Sequence, residues 1–306
     1  MKILLTGGAG FIGSHTADLL IDKGHKVWIV DNLITGRRKN LNPVAEFIEM
    51  DVRDEKLIDL FKEVGFDSVI HLAAQLDVRK SVEDPFFDAD VNIIGGINLL
   101  EAAVKNNVKS FIFASSGGVM YGEAEGKRPD ESYPASPLCP YGVSKLSFEF
   151  YLNYYKSHYG LRTAAMRLGN VYGPRQDPAG EAGVVAIFCG LMLKGKPVKI
   201  FGDGEQLRDY VYAGDVARAF EKALESGDGI YNIGVGASES VNRIFEVLGE
   251  SLDYSLPAEY YPARPGELAE SRLDPSRALK DLGWEAKMGF GEGMRKTLEY
   301  FKNEEK

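Results

Sequence analysis

Cysteine is close to missing from this chain: Cys139 and Cys189 are the only two in 306 residues. Two cannot build a disulfide framework, and neither Cys-x-x-Cys nor His-Glu-x-x-His spacing occurs, so the sequence offers no familiar metal site. The four histidines (His15, His25, His71, His158) are scattered, and no structural metal is expected. Long apolar runs are missing too. The longest, Gly183 to Leu193, is too short to cross a bilayer. The run from Met1 to Ile12 is broken by glycines and lacks a cleavage site. Basic runs are also absent: nowhere do five follow one another, and 36 Lys+Arg against 45 Asp+Glu leave a net charge of -9. That pattern has no footprint for a nucleic-acid backbone. The chain therefore reads as cytoplasmic, in a reducing compartment, with neither nucleic acid nor membrane as a partner.

What is present is the balance of an ordinary globular protein, 44% apolar and 26% charged residues, at a length of about two domains. Short β-rich runs alternate with helical patterns. Lys2 to Thr6 precedes Phe11 to Lys23; Lys26 to Asp31 follows; Ala45 to Glu49 precedes Glu55 to Val64; Ser68 to Ala73 precedes Val91 to Asn106; Ser110 to Ser115 precedes Tyr141 to Tyr159; Arg162 to Leu168 is a sixth strand. The strands are continuous apolar runs, as in a parallel sheet covered on both faces. The fold class is therefore α/β, a doubly wound parallel sheet of Rossmann type with a smaller, loop-rich α/β unit. After Asn170, Gly and Pro punctuate the chain, but Arg208 to Tyr212, Val216 to Leu224 and Gly229 to Ile233 form a further strand, helix, strand unit that can return to the first sheet. Residues 1–168 with 207–236 are expected to form the first domain, and 169–206 with 237–306 the second.

Two constellations carry chemistry. Thr6-Gly7-Gly8-Ala9-Gly10-Phe11-Ile12-Gly13 ends a strand and opens a helix, and its missing side chains let backbone close on a pyrophosphate at a helix N-terminus. Asp31, eighteen residues past Gly13 at the end of the next strand, can accept both hydroxyls of a ribose and repels a 2′-phosphate. NAD is therefore favoured over NADP, with Arg37 and Arg38 read as surface charge. The second is Tyr141-x-x-x-Lys145 at the start of a helix, where i, i+4 spacing puts both side chains on one face. A lysine ammonium beside a phenol favours the phenolate, a usable base. The strand upstream ends in Ser115-Ser116-Gly117-Gly118, where sheets of this kind place their chemistry.

The chain resembles the extended short-chain dehydrogenase/reductases. The residues that carry the resemblance are the Gly7 to Gly13 turn, His71-Leu72-Ala73-Ala74, Ser116, Tyr141-Gly142-Val143-Ser144-Lys145, Asn170-Val171-Tyr172-Gly173-Pro174-Arg175 and Arg208-Asp209-Tyr210-Val211. Among these families it is most similar to the UDP-glucose 4-epimerases. The resemblance implies tightly held NAD, a UDP-sugar substrate and C4 inversion through a transient 4-ketose, with Ser116, Tyr141 and Lys145 as the catalytic triad. It implies cofactor contacts at Gly7, Gly10, Phe11, Ile12, Gly13, Asp31, Asn32, Asp51, Val52, Leu72, Ala73, Ala74 and Asn92, besides Tyr141 and Lys145. On the substrate side it implies Ser116, Asn170, Phe201, Arg208 and Arg264. It also implies Ser271 as a small gatekeeper, which leaves room for N-acetylated hexosamines beside UDP-glucose and UDP-galactose. Two departures stand out: Leu168 follows Arg167 where a tyrosine is usual, and Ser271 replaces a bulky residue.

The rival within the superfamily is a nucleotide-sugar 4,6-dehydratase or decarboxylase. Those enzymes place acids after the catalytic hydroxyl, whereas this chain has Gly117-Gly118, with Glu123 well past the loop. A non-catalytic NAD sensor is the reading from another class, and the intact Tyr141–Lys145 pair speaks against it. The helices from Val91 to Val104 and Tyr141 to Tyr159 are apolar on both sides, so they are covered either by the second domain or by their copies in a homodimer.

Overall fold

The computed structural model describes residues 1–124, 126–178, 183–264 and 268–304. The first half runs β1 (Lys2–Thr6), α1 (Phe11–Asp22), β2 (Lys26–Asp31), β3 (Glu46–Glu49), α2 (Leu57–Val64), β4 (Ser68–His71), α3 (Val78–Glu83), α4 (Pro85–Ala89), α5 (Gly95–Lys105), β5 (Ser110–Ser116), α6 (Pro140–Tyr159) and β6 (Arg162–Leu168). The second half adds β7 (Asn170–Tyr172), α7 (Val184–Leu193), β8 (Lys199–Phe201), β9 (Leu207–Arg208), β10 (Tyr210–Tyr212), α8 (Ala213–Ser226), β11 (Gly229–Ile233), β12 (Glu239–Ser240), α9 (Val241–Leu252), β13 (Glu259–Tyr261), β14 (Glu270–Ser271), α10 (Ser276–Leu282) and α11 (Phe290–Glu304).

Seven strands form one parallel sheet in the order β11-β6-β5-β4-β1-β2-β3. Side chains of a strand alternate between faces, so a sheet packed on both sides needs apolar residues at consecutive positions. Ile3 and Leu5 join the cluster under α1 and α8, with Leu20, Val216 and Phe220. Leu4 joins the opposite one, with Phe61, Leu99, Phe148 and Leu152 of α2, α5 and α6. A separate core around Val185, Phe188, Ile200, Ile244, Leu248 and Met294 holds α7, α9 and α11 together.

The expected return to the first sheet happens in part. β11 pairs with β6, but the stretch 208–212 does not join the sheet. It splits into β9, paired with β12 and β14, and β10, paired with β7. The break falls at Asp209, whose carboxylate turns inward and accepts hydrogen bonds from the Val235 and Gly236 N–H groups. All strands of the main sheet end on the same edge, and β1 is the point from which the order departs in both directions. Ligand clefts form at such switch points.

Candidate active site

Above that edge lies a cleft of about 1070 Å³. Its first wall is the turn between β1 and α1. Gly7 has φ +73°, and a methyl there would lie 2.6 Å from the Ala73 nitrogen; one on Gly13 would overlap the Gly7 carbonyl. Only glycine allows this approach. α1 begins after Gly10 with no side-chain cap, so the turn presents its first amides as an anion cradle. At the end of β2 the buried Asp31 accepts N–H groups from Ala9 (3.0 Å) and Leu33 (2.9 Å). Burial pushes its carboxyl up, and those bonds oppose the rise. Gly36 packs so closely on this carboxylate that a methyl would lie 2.6 Å from Oδ1. Arg37 and Arg38 pair with Asp177 and Glu49. Next along the cleft, Asn32 Nδ2 donates to Asp51 Oδ2 at 2.8 Å beside buried Val52, and hydrogen bonds from Arg53 hold Asp51 well below the usual carboxylate range.

Leu72, Ala73 and Ala74 follow β4 and line the same cleft. Asn92 does not. It is buried on a π-helical turn (Asp90–Ile94), where its Oδ1 accepts from the Gln75 N–H and its Nδ2 donates to the Gln75 carbonyl and to Asp88 Oδ1. The amide is consumed in bracing the segment behind Ala74, and Asn92 is no direct lining residue.

Ser116 closes β5, in register with Leu168 of β6. Tyr141 and Lys145 come from the first turns of α6, which opens with Pro140. The Lys145 ammonium donates to the Ala114 carbonyl at 2.9 Å and lies 4.6 Å from the Phe113 ring centroid and 5.6 Å from that of Tyr141. Burial lowers it to about 7, against the pull of Asp88 and Glu149. Its Nζ lies over the Tyr141 ring, one helical turn away. Glu149, one turn on, received no role in the sequence reading. The signal was there, since 100° per residue puts an acid on the buried side of α6 together with Phe148 and Leu152. Arg167 likewise turns inward and pairs with Glu149 at 2.7 Å.

On the far side, Asn170, Phe201, Arg208 and Arg264 line the cleft together with Gln206 and Leu268. The Arg264 guanidinium carbon lies 3.9 Å from the Phe201 ring centroid, a cation–π stack. Ser271 does not reach the cleft. It sits on β14 in register with Arg208, which does. Asp31 and Asp51 are the only carboxylates among the described lining residues; Asp31 bonds the glycine turn through the Ala9 N–H, and Asp51 bonds Asn32 and Arg53. Where a dehydratase would carry acids, a methyl on Gly117 would lie 2.6 Å from Leu273, and Glu123 instead accepts the Ala269 N–H.

No helix among the described residues is long and apolar enough to cross a membrane. The model of the NAD dependent epimerase/dehydratase family matches residues 3–234. The chain is 48% identical to a UDP-glucose 4-epimerase of Thermotoga maritima solved with UDP-glucose, each chain covered in full, at a TM-score of 0.98. To the UDP-glucose 4-epimerase of Thermus thermophilus solved with NAD it is 46% identical over 99% of both chains, at a TM-score of 0.94. To a UDP-N-acetylglucosamine 4-epimerase of Methanobrevibacter ruminantium it is 37% identical, over 99% of this chain and 98% of that one, at the same TM-score. The chain thus belongs to the NAD dependent epimerase/dehydratase family and groups within it with the UDP-glucose 4-epimerases.

Proposed function

We propose that this protein inverts C4 of UDP-hexoses, interconverting UDP-glucose and UDP-galactose with NAD as cofactor. The carrying observation is that Tyr141 and Lys145 share the cleft with a cation-bearing far wall, while its described carboxylates are Asp31 at the glycine turn and Asp51 beside Asn32. The residues fit NAD: Gly7 and Gly13 let the β1–α1 turn close tightly on its own backbone, the start of α1 offers its amides to a pyrophosphate, and Asp31 and Asn32 would face the ribose. Bound there, NAD would supply reversible hydride acceptance at C4 of the sugar. Tyr141, as phenolate, takes the proton of the 4-hydroxyl and returns it after inversion. The Ser116 hydroxyl holds the same oxygen. Arg208 and Arg264 hold the diphosphate by paired, charge-assisted hydrogen bonds, so the ring turns about a fixed anchor. Phe201 offers its face to the base. Elimination of water needs an acid at the sugar, and none is supplied, which disfavours the dehydratase reading.

The finer parts of the reading have their own supports. Turnover of 2-acetamido sugars is supported by the methanogen relative's name alone, since Ser271 stands outside the cleft. The division into residues 1–168 with 207–236 for the cofactor and 169–206 with 237–306 for the nucleotide sugar then needs one exception, Arg208, which faces the sugar side. A homodimer through α6 and its neighbours is supported by Val82, Phe86, Ile94, Phe150 and Tyr154, all exposed in the single chain. Two free cysteines suit the cytoplasm.

The test is to incubate the purified protein, without added cofactor, with UDP-glucose, UDP-galactose, their 2-acetamido counterparts and UDP-glucuronate, and to identify products by NMR. UDP-galactose carrying deuterium at C4 should yield UDP-glucose that keeps the label. Washout of deuterium into water, or no inversion of any hexose, would sink the proposal.

A further inference from the structure

Directly beneath the site lie two charged side chains that the mechanism does not use. Arg167 and Glu149 are only 4% and 3% exposed, and they are joined by two hydrogen bonds, Nε to Oε1 at 3.0 Å and Nη2 to Oε2 at 2.7 Å. Ser115 Oγ donates to the same Oε1 at 2.6 Å, and Arg167 Nη1 donates to the Tyr121 hydroxyl, which donates to Asn232 Oδ1. A buried ion pair is poor value for stability, because desolvating both charges consumes most of what their attraction returns, and an apolar pair of similar volume often does as well. Its placement suggests what it does instead. Glu149 stands one turn beyond Lys145 on α6; Ser115 immediately precedes Ser116; Arg167 immediately precedes Leu168, whose carbonyl accepts the Gly117 and Gly118 N–H groups. The pair thus fastens the ends of β5 and β6 to the helix that carries the base.

The charge balance at Lys145 points the same way. The groups facing this ammonium are Tyr141 and Glu149 on its own helix, Asp88 from α4, His71 from β4 and, behind Glu149, Arg167 from β6. His71 is held neutral by burial, at about 3. Asp88 is shared among Ser144, Gln75 and Asn92. Asp88 and Glu149 are the carboxylates that oppose the desolvation of the ammonium, beside the Ala114 carbonyl and the Phe113 ring.

We infer that Glu149, clamped by Arg167, is a positioning residue for the reaction proposed above and rests on that reading: it fixes the Ser116 end of β5 against α6 and supplies, with Asp88, the negative charge that balances the Lys145 ammonium beside Tyr141. Without that carboxylate the ammonium gives up its proton more readily, Tyr141 loses a neighbouring cation, and its phenolate forms at higher pH.

Two variants test this, Glu149→Gln and the double variant Glu149→Gln/Arg167→Met. The second leaves no uncompensated buried charge, and it guards against the misfolding that the first invites. Ionisation of Tyr141 is read as an absorbance difference between each protein, as purified, and the same background carrying Tyr141→Phe. The pH profile of kcat on UDP-galactose is read beside it. In Glu149→Gln the tyrosine midpoint and the acid limb of kcat should move up by about one pH unit, a loss of roughly tenfold in kcat near neutrality; in the double variant, which removes the Arg167 charge as well, they should move the same way by less, with KM unchanged in both. An unmoved midpoint in the folded double variant overturns the inference, and so does a double variant that cannot fold, since the pair would then be structural. The titration is read without sugar. A shifted midpoint in a protein that inverts no hexose would uphold the coupling of Glu149 to Lys145 and Tyr141 and overturn the reaction it is proposed to serve.

Discussion

The phenol of Tyr141 stands one helical turn from the Lys145 ammonium, and phenylalanine in its place removes the proton acceptor while keeping the bulk. Tyr141→Phe should lower kcat by about 10² to 10⁴, the usual contribution of a positioned base, while NAD released on denaturation stays at the wild-type amount. A variant that keeps its rate would hand the site to the sensor reading. Ser116, Tyr141 and Lys145 were legible because their signals are local: a strand end, a proline-led helix start and one i, i+4 spacing. Asn92 was not. Its place depends on Gln75 and Asp88, two partners that no spacing links to it, and its side chain bonds them away from the cleft wall. Glu149 shows the converse, a residue whose partners Ser115 and Arg167 sit on strands far away in the chain.

Among elements, β1, β2, β6 and β11 follow the apolar runs residue for residue, since burial on both faces leaves an unbroken signature. The stretch after Gln206 misled because Asp209 turns inside between two short strands and ties three segments together: the Asn170 N–H bonds its carbonyl, and Val235, Gly236 and Leu273 bond its carboxylate. Such a hub is a matter of tertiary structure, and composition does not register it. Burial pushes Asp209 up to about 6, against those three N–H bonds. The folded chain therefore binds this proton more tightly than the unfolded chain, whose carboxyl keeps the ordinary value near 3.8. The contribution is fully present below about 4 and is lost as pH rises through about 6, on the order of 3 kcal/mol in all. Asp209→Asn removes the titration. The Tm of wild type relative to the variant should fall from pH 4 to pH 8, as followed by thermal melts; a pH-independent difference would contradict the assignment.

For the molecule as a whole, the alternative that the second half covers the outer face of α6 does not hold within one chain, where Phe86 is 88% and Phe150 67% exposed. Burying each ring against a second copy is worth roughly 2 kcal/mol. Phe86→Glu with Phe150→Glu should therefore turn a dimer into a monomer in sedimentation velocity, with the fold intact by circular dichroism. A monomeric wild type, or an unchanged mass in the variant, would end the pairing idea. The overall architecture was readable because its parallel sheet repeats one pattern, whereas the strands of the second half are two or three residues long and leave too little pattern to read. The strand order has a consequence for biosynthesis. β6 receives its outer neighbour only from β11, roughly 65 residues later. At a ribosomal pace of about 5–20 residues per second, the nascent chain leaves that edge bare for roughly 3 to 13 s. An open edge invites foreign strands, so the interleaving that completes the fold also sets the interval in which a newborn molecule is most prone to mispair.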